Sequence, residues 1–255
     1  DFKARKPGFG KDRIGGDPFL PDEQTARDAL DEARDAGLSL VSMQSLLFGV
    51  TGAGLFEGAD ARAAFEAGMI RAITLAGRFG VPNLVFGSPT QRRVPEGMAM
   101  EAALGQAADV FRRLGDAAAA AGTRIAIEPN PAAYGTNFLN TLDAADGFAQ
   151  AVCHPAIALI LDLGAMHMNG EFASVPARLP AVTARLNHVH VSEPDLAPAP
   201  AEAASLVPVL KGLRHAGYAN AVSIEMKRPA GGLDDVRQAA ARLAAAHRSV
   251  EAVHA

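Results

Sequence analysis

Four strand-like runs in this chain carry a carboxylate or an imidazole at or near their ends, and they recur at the spacing of a strand plus its helical return. The groups are Glu128 at the end of residues 123–128, Asp162 at the end of 157–162, His190 in the run that opens at Leu186, and Glu225 within 221–226. Glu128 to Asp162 is 34 residues, Asp162 to His190 is 28, and His190 to Glu225 is 35. Parallel strands cannot be joined by a tight turn; a strand with its crossover helix takes about thirty residues. The Val, Ile, Leu and Ala of these runs fall on both alternations, which suits a sheet covered on both faces. The pattern predicts an α/β fold of parallel strands whose carboxyl ends lie side by side, with the four groups sharing one crevice.

His188 and His190 are one residue apart within a strand, so both rings face the same side of the sheet. Taken singly, such a histidine is more often a hydrogen-bonded core residue, and a strand-end acid often caps the next helix. Three carboxylates and an imidazole in one cleft are different, because they repel and lose hydration unless a cation compensates. A divalent ion is therefore expected. Oxygen and nitrogen ligands without thiolate fit Mn²⁺, Mg²⁺, Co²⁺ or Zn²⁺.

The rest of the chain reads as the scaffold of these units. Helical spacing covers residues 21–36, stopped by Gly37, then 61–79, 98–121, 141–152 with Thr141 as cap, 174–184, 203–216 and 233–253. Two further strands are expected at 38–43 and 83–86, giving six in all. The glycine-bearing stretch 44–60 reads as an irregular connection or a lid, and 194–200 as a proline-rich loop. Residues 1–20 are expected to be irregular, and 21–255 to form a single domain.

Composition narrows the function classes. With 24 basic and 28 acidic residues, the net charge of −4 gives no electrostatic case for nucleic acid or an anionic membrane. Cys153 is the only cysteine, which excludes an intrachain disulfide and makes the cytoplasm the expected location. No apolar run reaches the roughly 18 residues of a membrane span.

The motifs Ile127-Glu128-Pro129-Asn130-Pro131, Leu161-Asp162-Leu163-Gly164, His188-Val189-His190 and Ser223-Ile224-Glu225-Met226-Lys227 resemble those of the xylose-isomerase-like TIM-barrel superfamily, the sugar phosphate isomerase/epimerase group. The resemblance covers about residues 38–253. It implies a (β/α)8 barrel in which Glu128, Asp162, His190 and Glu225 bind one divalent metal. It further implies that Glu128 and Glu225 flank the substrate and move a proton next to a carbonyl through a metal-stabilised enediolate. His188, Asn130, His167, Glu193 and Lys227 are the expected substrate contacts.

Three departures from the family pattern shape the expectation. Ala165 stands where epimerases commonly have a histidine three residues after the Asp, so the nearest imidazole is His167, expected on the following loop. Leu196 stands where they carry an arginine, with Glu193 and Asp195 before it, which disfavours a phosphorylated substrate. Six strands fall short of the barrel's eight, so the barrel is expected to be incomplete at its N-terminus and covered by a second copy or a partner subunit. The expected function is a metal-dependent isomerase or epimerase of an unphosphorylated sugar or polyol-derived ketone. A dehydratase or lyase using the same site, or a non-catalytic sugar-binding barrel subunit, is the alternative. The endonuclease branch of the superfamily needs a three-metal cluster and a basic DNA-binding face, which this sequence lacks.

Overall fold

The computed structural model describes residues 23–251. The chain divides into two compact units, one running to Ile125 and including Val152–Ile157, the other made of Ala126–Ala151 and Ala158–Ala255. The segment 1–20, expected to be irregular, lies outside the described residues. Among those residues no helix is long and apolar enough to cross a membrane.

In the first unit, α1 (Glu23–Asp35) and α2 (Ala59–Phe79) precede β1 (Asn83–Phe86), and α3 (Met100–Ala120) follows. The sequence places Phe65, Gly68, Met69, Ala72, Ile73 and Ala76 of α2 on one helical stripe, and all six are buried. The helix stops at Gly80, whose φ of 65° gives the left-handed turn that a side chain resists. Phe65, Phe86 and Phe111 form the heart of this unit, meeting edge to face with centroids 5.7 Å, 6.4 Å and 4.9 Å apart.

The strand expected at 38–43 is not formed. Only Met43 bridges Leu84, with its N–H donating to Asn83 O at 2.9 Å and its carbonyl accepting from Val85 N at 2.8 Å. The residues before it gain no ladder partner, and Leu38 is 63% exposed. The stretch 44–60 is an irregular connection that buries Leu46, Leu47, Leu55 and Phe56. Leu55 is pinned at both backbone groups, by Gln91 O at 2.8 Å and Gln106 Nε2 at 2.8 Å, so this connection is part of the unit's core.

Strand β2 (Arg124–Ile127) enters the second unit at Ala126, followed by α4 (Leu142–Val152), β3 (Ile157–Asp162), α5 (Leu163–Met168), α6 (Val175–Val182), β4 (Leu186–Val191), α7 (Ala203–His215), β5 (Val222–Ile224) and α8 (Leu233–Glu251). Within this unit β2, β3, β4 and β5 are hydrogen-bonded neighbours in that order. The β3–β4 and β4–β5 pairs are parallel, with Asp162 level with His190 and His190 level with Ser223. Every residue of β3 is buried, as expected of a strand covered on both faces. Thr141 caps α4 as expected, its Oγ1 accepting from Ala144 N at 3.2 Å. Arg185, at the foot of β4, holds Asp146 of α4 through two bonds of 2.5 Å and 2.9 Å.

Alternating strands and helices with parallel pairing make this an α/β fold of the TIM-barrel type, with five strands among the described residues. Two expectations need correction here. Residues 163–168, read as loop, form the short helix α5, because the Asp162 side chain caps them by accepting from Ala165 N at 2.6 Å. Strand β5 is three residues long where six were expected, and it has one sheet neighbour among the described residues.

Candidate metal centre

Parallel register turns the spacing of the sequence into a site. Asp162 closes β3, His190 lies beside it on β4, Glu128 follows β2, and Glu225 follows β5 with its N–H donating to Val191 O at 2.9 Å. All four belong to the second unit. One ligand atom from each lies within 4.8 Å of all the others, a spacing that can hold a metal ion. His190 Nδ1 is 2.9 Å from Glu225 Oε2, 3.6 Å from Glu128 Oε1 and 3.7 Å from Asp162 Oδ2.

The electrostatics are those of a site short of positive charge. Burial by itself would lower the pKa of His190, but Asp162, Glu128 and Glu225 around the ring hold it well above the ordinary histidine value. Burial pushes the Glu128 carboxyl up, opposed by the His190 contact and reinforced by the charges of Asp162 and Glu225. Three carboxylates gathered around one imidazole form a site whose charge a divalent cation would offset. Three oxygens and one nitrogen, without sulfur, form a donor set for Mn²⁺, Mg²⁺, Co²⁺ or Zn²⁺.

His188 is buried one layer deeper on the same strand, its ring edge-to-face with that of His190 at 5.2 Å. Burial, followed by the charge on His190, holds its pKa down to about 3, so it is neutral. Asn130 is buried and donates from Nδ2 to Glu128 Oε2 at 3.0 Å, orienting that carboxylate. The remaining expected contacts have these surroundings. His167 is on α5, not on a loop, and stacks on Phe172 with centroids 3.7 Å apart. Glu193 turns its carboxylate to Ala201 N at 2.8 Å. Lys227 is exposed, and its backbone N–H donates to Leu196 O at 2.8 Å.

Two residues were not singled out by the sequence. Ser192 is buried and donates from Oγ to Asp162 Oδ1 at 2.8 Å. Tyr134 lies in the turn Ala132–Tyr134, where burial and then the charges of Asp162, Asp195, Glu128 and Glu225 raise its phenol. That dependence places the phenol within the field of the cluster. Its only sequence signal is its place six residues after Glu128, in the loop following a ligand-bearing strand.

The sequence pattern of the family described as xylose isomerase-like TIM barrel matches residues 8–246. A search of curated protein sequences returns no match. Among solved structures, the D-psicose 3-epimerase of Clostridium cellulolyticum H10 with D-tagatose superposes with a TM-score of 0.74 at 15% identity, over 91% of this chain and 85% of that one. An L-ribulose 3-epimerase gives 0.67 at 18% identity over 89% and 82%. The 3-keto-D-glucoside 4-epimerase of E. coli, in its apo form, gives 0.65 at 16% identity over 88% and 85%. At these identities the likeness is one of fold.

Proposed function

Because the chain belongs to the xylose isomerase-like TIM-barrel family, we propose that it is a divalent-metal-dependent isomerase or epimerase acting on an unphosphorylated sugar or polyol-derived ketone. The observation that carries this reading is the convergence of Glu128, Asp162, His190 and Glu225, from four neighbouring strands, to within 4.8 Å. We read 21–255 as one domain because the family match, which covers residues 8–246, spans both compact units.

The four residues would hold one ion, which when bound supplies Lewis-acid stabilisation of negative charge developing on the substrate's oxygens. Glu128 and Glu225 are the proton-moving groups. One carboxylate takes the proton from the carbon next to the carbonyl, giving an enediolate, and the other, entering as the carboxylic acid, returns a proton to the opposite face of that carbon; return to the adjacent carbon instead requires the hydroxyl proton to pass to the former carbonyl oxygen. Asn130 supports this by fixing Glu128 Oε2, and the burial that raises the Glu128 carboxyl matches a group that must accept and release a proton. His190 keeps its ring against all three carboxylates, and neutral His188 beneath it adds no competing charge. Of the substrate contacts expected from sequence, Asn130 and His188 lie against members of the cluster, Glu128 and His190, and Tyr134 is added as a phenol whose pKa burial and the charges of the same carboxylates raise. The loop after β4 presents Glu193 and Asp195, which favours a substrate without phosphate.

The test is incubation of the full chain with small ketoses and inososes in deuterated water, with Mn²⁺, Co²⁺ or Mg²⁺ present. The expected result is deuterium at the carbon next to the carbonyl and a product of unchanged elemental composition. A product that has lost water would replace this reading with dehydration, and absence of exchange with every ketone and metal would overturn it.

A further inference from the structure

The two oxygens of Asp162 are held differently. Oδ2 faces the cluster, 3.7 Å from His190 Nδ1. Oδ1 faces away, accepting from Ala165 N at 2.6 Å and from Ser192 Oγ at 2.8 Å. Ser192 Oγ also accepts from Gly164 N at 2.7 Å. A hydroxyl has one proton, and with an N–H already directed at its oxygen that proton is left for the carboxylate. Ser192 is 2% exposed, so bulk water has little access to its hydroxyl.

The local sequence makes room for this clamp. A Cβ on Gly164 would sit 2.9 Å from Ser192 Oγ and 2.8 Å from Glu193 O, both closer than real Cβ contacts come. Glycine at 164 therefore allows the exit of β4 to close on the start of α5. The same carboxylate caps α5 with Oδ1 and serves the cluster with Oδ2, so its rotation is tied at both ends.

We propose that Ser192 is a positioning residue: its hydroxyl, clamped between Gly164 N–H and Asp162 Oδ1, commits Asp162 to one-oxygen ligation through Oδ2. This rests on the reading of the cluster as a metal site. With both Oδ1 bonds in place, that oxygen is occupied by donors and turned from the ion. Without the hydroxyl, Oδ1 keeps only the Ala165 N–H and the carboxylate is free to swing both oxygens inward. The clamp thus keeps one ligand position for substrate that a two-oxygen aspartate would fill.

The experiment loads the full chain with Co²⁺ and records visible absorption and affinity for the native protein, Ser192→Ala and Ser192→Thr. Removing an outer partner of a ligand typically costs ~10–100-fold in metal affinity. Ser192→Ala is expected to show that loss together with a weaker visible band, because an added carboxylate oxygen raises the coordination number. Ser192→Thr, which keeps the hydroxyl, is expected to restore the native spectrum. If Ser192→Ala does not fold, Ser192→Cys replaces it, with the same weaker band expected from a poor donor. A native spectrum in the variant without the hydroxyl overturns the proposal even if affinity falls, since a purely structural role lowers affinity without changing coordination. A native chain that takes up no Co²⁺ overturns the metal reading instead.

Discussion

The first unit buries Phe65, Phe86 and Phe111 against one another, and the second buries His190 among Glu128, Asp162 and Glu225. The three rings and His190 are fully buried and Asp162 is buried, while Glu128 and Glu225 keep a small exposed fraction. The aromatic one is stabilised by the burial itself, since each ring removes apolar surface from water and finds edge-to-face partners. The polar one is opposed by its burial, since its carboxylates lose hydration and repel one another across less than 5 Å. A cluster that destabilises its own fold persists where it serves a reaction, and the difference between the two clusters separates scaffold from site.

Four outcomes would break or sharpen that contrast. The largest effect is on turnover: Glu225→Gln, saturated with metal, is expected to lower kcat by about 100- to 10,000-fold in a steady-state assay, while leaving the fold intact. Turnover at the native rate would remove Glu225 from the proton path. Next, Phe111→Ala is expected to cost about 3–5 kcal/mol in urea unfolding, the ordinary result of emptying an aromatic core position. Glu128→Gln in the metal-free chain is expected to do the opposite, raising stability by about 1 kcal/mol, because it relieves a buried charge. Loss of stability in both variants would mean that the clusters do not differ in kind.

The third outcome concerns the ion. Free Mn²⁺ at a hundred times its dissociation constant is expected to stabilise the chain by about 2.7 kcal/mol in a thermal shift. The gain should grow as pH rises from 6 to 8. His190, with its pKa well above the ordinary value, holds a proton that the ion must displace, so acid competes with metal. The last outcome concerns His188. It is neutral in the fold down to about pH 3 but charges near 6.5 when unfolded, so the unfolded chain binds more protons in that window. Stability is full above pH 6.5 and falls as pH drops, by about 1.4 kcal/mol at one unit below. In His188→Gln the slope of unfolding free energy between pH 5 and 6.5 should flatten.

What the sequence disclosed follows from which interactions are local. β1 and β3 occupy the residues expected of them, 83–86 and 157–162, because each is a short apolar run between breakers. Helices with a full apolar stripe, such as α2 and α3, differ from expectation by two residues at most at either end. The segment 38–43 had strand composition, yet only Met43 found a ladder partner, and partners cannot be read from one strand alone. α5 was missed because six residues are too few to show a helical period, and its cap is the very aspartate assigned to the site.

The site was legible where titratable groups recur at βα spacing, and the structure brings Glu128, Asp162, His190 and Glu225 together as that spacing implied. Ser192 was not legible, since a serine two residues after a ligand says nothing until the register sets it opposite Gly164 and Asp162. His167, Glu193 and Lys227 were expected as substrate contacts from the motifs and loops that follow the ligand-bearing strands, and their side chains stand against Phe172, against Ala201 N and in solvent.

The most direct test of the account is titration of the metal-free full chain with Mn²⁺, followed by the free-ion spin-resonance signal. One ion bound per chain is expected, with binding abolished in His190→Ala and Asp162→Ala, each checked for folding by circular dichroism. No uptake at millimolar Mn²⁺, or uptake that survives both substitutions, would contradict it.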